Sequence, residues 1–185
     1  MATSNINVIN GVNVDQIMKV INHIEQDEGY GKAQFRARNH WQNGGVNYSE
    51  IKGFYACAQE DQSRAQAFKL ANDEPLFLSG EDKAPNPVEY VLHALAGCLT
   101  TTMVYHASVQ GIEIEAVESL HDGDIDLRGI FGLSDQVRKG YNAVRVHMKV
   151  KSDASAEQLT ALAMFSPVYD IISKSLPVEF SLETY

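Results

Sequence analysis

The chain has 185 residues, a hydrophobic fraction of 44% and a formal net charge of -9. That length suits one domain core and is short for two. The negative balance argues against non-specific nucleic-acid binding, because no basic face is available to follow a phosphate backbone.

The start, MATSNINVINGVNVD, lacks a basic segment followed by an apolar run, so a secretory signal is not expected. Residues 1–12 read as a loose polar arm. Residues 13–27 place Val14, Ile17, Met18, Val20, Ile21 and Ile24 at helical intervals and predict a short amphipathic helix, which Glu28-Gly29-Tyr30-Gly31 breaks. Residues 1–31 are therefore expected to form a peripheral arm and helix, with a single domain over 32–185. KAQFRARNHW reads as a strand, Gln42-Asn43-Gly44-Gly45 as a hairpin turn, VNYSEIKGFYACA as a second strand and AQAFKLA as a third. PLFLSGEDKAPNP is a short extended piece and a loop, held out of helical geometry by Pro85 and Pro87.

A central helix follows from about Val88 to Ser108. It is apolar on most faces through Tyr90, Val91, Leu92, Leu95, Leu99, Met103 and Val104, the mark of a buried helix. Its longest apolar run, VLHALAGCL, is interrupted by His93 and too short to span a bilayer, so no membrane association is expected. Strands are predicted over GIEIEAVESLHDGDIDLRG and AVRVHMKVKSD. Helices are predicted over SAEQLTALAMF, capped by Ser155 or Asp153, and over SPVYDIISKSL, with a closing strand at PVEFSLE. No repeated β-α-β unit appears, so the class is α+β. One sheet layer cannot cover a helix that is apolar all round. A second copy of the same helix is the simplest cover, which predicts a symmetric homodimer.

Two cysteines make no disulfide scaffold, and a thiol-reducing, cytoplasmic setting is expected. Cys98 and Cys57 could each be a reactive thiol or an ordinary core cysteine, since only a thiolate with a suitable neighbour is a nucleophile. The six histidines form no H-x-x-x-H or H-E-x-x-H motif, and His93 and His106 stand too far apart on one helix to share a metal. His121 with Asp122, Asp124 and Asp126 reads as a solvated acidic strand end. Without G-x-G-x-x-G, P-loop or G-x-S-x-G motifs, neither a cofactor nor a metal is expected.

Two stretches resemble the OsmC/Ohr family: Pro85-Asn86-Pro87 leading into Val88–Cys98, and Phe165-Ser166-Pro167-Val168-Tyr169. The closing Leu176–Phe180 also fits, and the resemblance covers roughly residues 32–184. It implies an intertwined homodimer with antiparallel sheets wrapped around long central helices. It also implies reduction of small organic hydroperoxides by a first cysteine, here Cys98, with an arginine and a glutamate holding it as a thiolate. The pattern is altered at three places. The position of the second, resolving cysteine is Ser166, which leaves resolution to an external thiol reductant. The glutamate position is Val88, with Glu89 adjacent. Val46 follows the Gly-Gly of the first hairpin where an arginine is usual, which leaves Arg38 or Arg36 as substitutes. Cys98, Glu89 and Arg38 are the candidate catalytic residues, with Met103, Phe165 and Tyr169 as an apolar pocket. The alternative is a non-catalytic dimer that binds a small apolar ligand in its interfacial cleft.

Overall fold

The structure, a computed structural model, describes residues 6–185. In chain order its elements are β1 (Val8–Ile9), β2 (Val12–Asn13), α1 (Val14–Gln26), β3 (Arg38–Asn43), β4 (Val46–Ile51), β5 (Phe54–Ala56), β6 (Gln59–Asp61), β7 (Phe68–Asn72), α2 (Pro87–Val109), β8 (Ala116–Asp124), α3 (Leu127–Ile130), β9 (Ala143–Lys151), α4 (Ala156–Ala163), α5 (Pro167–Ser173) and β10 (Val178–Thr184). The described residues form two compact units, one of residues 6–15 with 91–185 and the other of residues 16–90.

Residues 1–5 of the expected arm lie outside the described residues, and the rest of it is not loose. Asn10 and Gly11 have φ of 52° and 76° and turn β1 into β2, the backbone that Asn-Gly pairs favour in two-residue hairpins. The Asn10 amide then fixes the hairpin at the far end of α2. Its Nδ2 donates to Ser108 Oγ at 3.1 Å and to the Ile112 carbonyl at 2.9 Å, and its Oδ1 accepts from the Ile114 N–H at 2.8 Å.

The sheet of the first unit has the order β10-β9-β8. Period-two alternation on β9 buries Val144, Val146, Met148 and Val150 and turns Arg145, His147, Lys149 and Lys151 to the other face. β8 pairs antiparallel to β9, as expected of the sheets, whereas β10 pairs parallel to it. The chain makes this possible by crossing over through α4 and α5, because parallel neighbours need a long connection. Both helices have a serine cap: Ser155 Oγ accepts from the Gln158 N–H and Ser166 Oγ from the Tyr169 N–H.

His121 of β8 pairs with the buried Val146. Its Nδ1 is buried with no hydrogen-bond partner, and burial lowers the imidazole below its ordinary 6.5. The unfolded chain therefore takes up this proton at higher pH than the folded one. This contribution to stability is complete above pH 6.5 and is lost as the pH falls through 6.5 toward the folded value. Urea midpoints at about pH 7.5 and about pH 5.5 should differ less in His121→Gln than in the parent. An equal loss in both would assign the pH dependence to other groups.

In the second unit β3, β4 and β7 form an antiparallel sheet, and β5 and β6 a separate hairpin. The expected single strand from Val46 to Ala58 is broken at Lys52-Gly53. Asp73 ends β7 as an organising centre: its carboxylate accepts the backbone N–H groups of Glu74, Glu81 and Lys83. The Lys83 and Glu74 bonds, in that order, hold it below the usual carboxylate range. The loop wound around it is tight enough that a Cβ on Gly80 would stand 1.7 Å from the Glu74 carbonyl oxygen. The piece expected to be extended is here a 3-10 turn over Leu76–Leu78.

Candidate functional site

α2 begins with a reciprocal cap. Asn86 Oδ1 accepts the Glu89 N–H at 2.9 Å, and Glu89 Oε2 accepts the Asn86 N–H at 2.9 Å, with Pro87 in the first helical position. Tyr90 adds a bond from its hydroxyl to the Ala71 carbonyl at 2.7 Å. The Glu89 carboxylate thus has a local structural task.

Further along, Leu95, Leu99, Met103 and Ala107 recur every fourth residue and are fully buried. Val91 and Tyr105 are exposed by 39% and 46% within the single chain. Cys98 adjoins the buried stripe, is partly exposed, and has its Sγ 4.0 Å from Thr102 Oγ1, one turn on. At 1.5 Å and 100° per residue, Glu89 lies about 13 Å back along the helix on about the opposite side. The two do not meet within one helix.

No cation of residues 91–185 is seen in an ion pair or hydrogen bond with Cys98. Arg128 pairs with Asp126, Arg145 with Asp122 and Asp124, Lys149 with Glu183, Lys151 with Glu115 and Lys174 with Asp170. These pairs also resolve the acidic strand end. Asp122 and Asp124 serve Arg145, Asp126 caps α3, and His121 turns inward.

Ser166, at the expected resolving position, is fully buried and holds the α5 cap at 3.1 Å. A serine hydroxyl accepts such a bond better than a thiol, so the residue has a structural use that needs no redox role. The three residues expected to line an apolar pocket each have neighbours within the single chain. Met103 is in the core, Phe165 stacks on His106 with ring centroids 4.5 Å apart, and Tyr169 meets Phe180 edge-on at 6.3 Å.

The second unit separates the two candidate arginines. Arg36 is saturated by Gln34 and by a bidentate pair with Glu60 at 2.7 and 2.9 Å. Arg38 is in no ion pair among the described residues. Cys57 occupies the β5–β6 turn with φ of 51°, followed by Ala58 at 58°. The neighbouring Cys57 thiol, with burial adding to it, raises the Tyr30 phenol above its ordinary value. Both cysteines are free thiols. Thr102 and Asn10 had no part in the sequence expectations, and Asn86 entered them only within the Pro85-Asn86-Pro87 stretch, with no role of its own. The N-x-x-E spacing of Asn86–Glu89 and the Asn10-Gly11 pair were the available signals.

An antiparallel three-stranded sheet in one unit, and in the other a mixed sheet with α4 and α5 in its crossover, define an α+β protein in which a long helix carries a cysteine mid-length. The OsmC-like protein family model matches residues 80–181, and the chain belongs to that family. Among solved structures it is similar to an OsmC-like protein from Mycoplasma pneumoniae, with 13% identity, TM-score 0.62, and coverage of 82% of this chain and 96% of that one. It is also similar to an organic hydroperoxide resistance protein OsmC from Legionella pneumophila, with 21% identity, TM-score 0.55 and coverage of 80% and 96%. A third is an organic hydroperoxide resistance protein from Elizabethkingia anophelis, with 13% identity, TM-score 0.58 and coverage of 82% and 96%. At these identities the likeness establishes the fold. No curated protein matches the chain. Among the described residues no helix is long and apolar enough to cross a membrane.

Proposed function

We propose that the protein is a homodimeric, cytoplasmic thiol peroxidase that reduces organic hydroperoxides through Cys98 and relies on an external thiol. The observation that carries this is a partly exposed, free Cys98 mid-way along α2, inside the span matched by the family model. Two similar structures are organic hydroperoxide resistance proteins. The Cys98 thiolate attacks the outer peroxide oxygen, the O–O bond breaks, and the alkoxide leaves as the alcohol after taking a proton. Cys98 becomes a sulfenic acid. A first external thiol condenses with it to a mixed disulfide and water, and a second releases reduced Cys98 and the external disulfide. Arg38, whose guanidinium has no carboxylate partner among the described residues, is the arginine proposed to favour the thiolate, and Glu89 is retained as the acid proposed to orient it. The apolar residues of α2 left exposed in the single chain support a second copy as the helix's cover.

The caps held by Glu89 and Ser166 favour a second assignment, a non-catalytic dimer binding a small apolar ligand. Steady-state turnover of a lipid-like hydroperoxide, with dithiothreitol or a dihydrolipoyl donor, separates the two. The peroxidase should show a rate that rises with thiol concentration, and light scattering should give about twice the 20.5 kDa chain mass. Peroxide consumption no faster than with the thiol alone would leave the binding role.

A further inference from the structure

The second unit holds a cleft of about 500 Å³ lined by Arg36, Arg38, Glu50, Lys52 and Gln62. Three cations against one carboxylate is an unusual wall for a chain of net charge -9. Their pairing leaves Arg38 and Lys52 as the uncompensated charges of the wall. Arg36 is fixed as a rigid side of the cleft by Gln34 and Glu60, which account for four N–H···O contacts of its guanidinium. Arg38 has Glu50 directly opposite on β4, yet forms no ion pair with it. Glu50 is instead 3.7 Å from Lys69 on its other side. Lys52, at the corner where β4 gives way to β5, is also in no ion pair among the described residues. Opposite that corner the Gln62 amide lies so close to Gly53 that a Cβ there would meet its nitrogen at 2.7 Å. Glycine at this corner lets a neutral hydrogen-bonding group stand beside the two cations.

We propose that this cleft binds a small ligand through an oxyanion group, a phosphate or a carboxylate. Arg38 and Lys52 supply the charge and Gln62 a neutral amide donor. A planar guanidinium with free N–H groups suits two oxygens of such a group, and an ammonium adds a mobile point charge.

The test is calorimetric titration of the full chain, at fixed ionic strength, with inorganic phosphate in one arm and citrate in the other. Binding of either in the millimolar range is expected. Arg38→Met and Lys52→Met should each weaken it about tenfold or more, while Lys139→Met, which changes an exposed cation elsewhere, should leave it unchanged. All three residues are on the surface, and far-UV circular dichroism checks that the variants stay folded. Phosphate alone or citrate alone would identify the group. Binding of neither would overturn the site, as would binding that both cleft variants retain, since that is general ionic attraction. Arg38 also has a part in the proposed peroxidase; Cys98→Ser should nevertheless bind as the parent does, so a failure of anion binding and a failure of the thiol chemistry are told apart.

Discussion

Cys98→Ser should lower thiol-dependent turnover of an organic hydroperoxide by about a thousandfold or more, because the nucleophile itself is removed and nothing else in the proposed cycle carries the electrons. Cys57→Ser should keep the parent rate. The fate of Cys98 under peroxide carries the same expectation in the unmutated protein. With Ser166 in place of a second thiol, mass spectrometry after limited peroxide exposure should find Cys98 as a sulfenic acid, as sulfinic acid at higher dose, or as a mixed disulfide when a small thiol is present. A dominant Cys57–Cys98 crosslink would make Cys57 the resolving thiol. A Cys98 left unmodified at doses that oxidise ordinary exposed thiols would remove it from chemistry altogether.

Leu99→Ala should destabilise the protein by about 3–5 kcal/mol. Leu99 is fully buried in the stripe with Leu95, Met103 and Ala107, so the lost methyl groups leave a cavity that a mid-helix backbone cannot close. The measurement is the shift in urea midpoint at an unchanged slope. A loss under about 1 kcal/mol would mean that this face of α2 is not core.

Elements governed by hydrophobic period were legible in the sequence. α2, β9 and α4 follow the apolar spacing of their residues, and Ser155 caps α4 as its position implied. What escaped was set by side-chain hydrogen bonds, which leave no periodic trace. Asn10-Gly11 is a hairpin signal in a polar stretch too short to look structured, and only the bonds to Ser108, Ile112 and Ile114 make it permanent. The inward turn of His121 beside the outward, 66% exposed Leu120 runs against hydropathy and is fixed by register with Val146. For the candidate site, residue types transferred from the family pattern but their local duties did not. Glu89 and Ser166 both hold helix caps, a duty that is visible only in the folded geometry.

The parallel pairing of β10 with β9 sets an order on biosynthesis. β9 is the middle strand of its sheet, yet one of its edges is satisfied only by residues 178–184, which are made after β9, α4 and α5. Until those residues emerge and α4 and α5 have crossed over, β9 presents an open row of backbone donors and acceptors beside four buried-type apolar side chains, the kind of edge that recruits other chains. The nascent protein is therefore exposed to aggregation from the emergence of β9 until residues 178–184 have followed, and a truncation that removes those residues would make that passing state permanent.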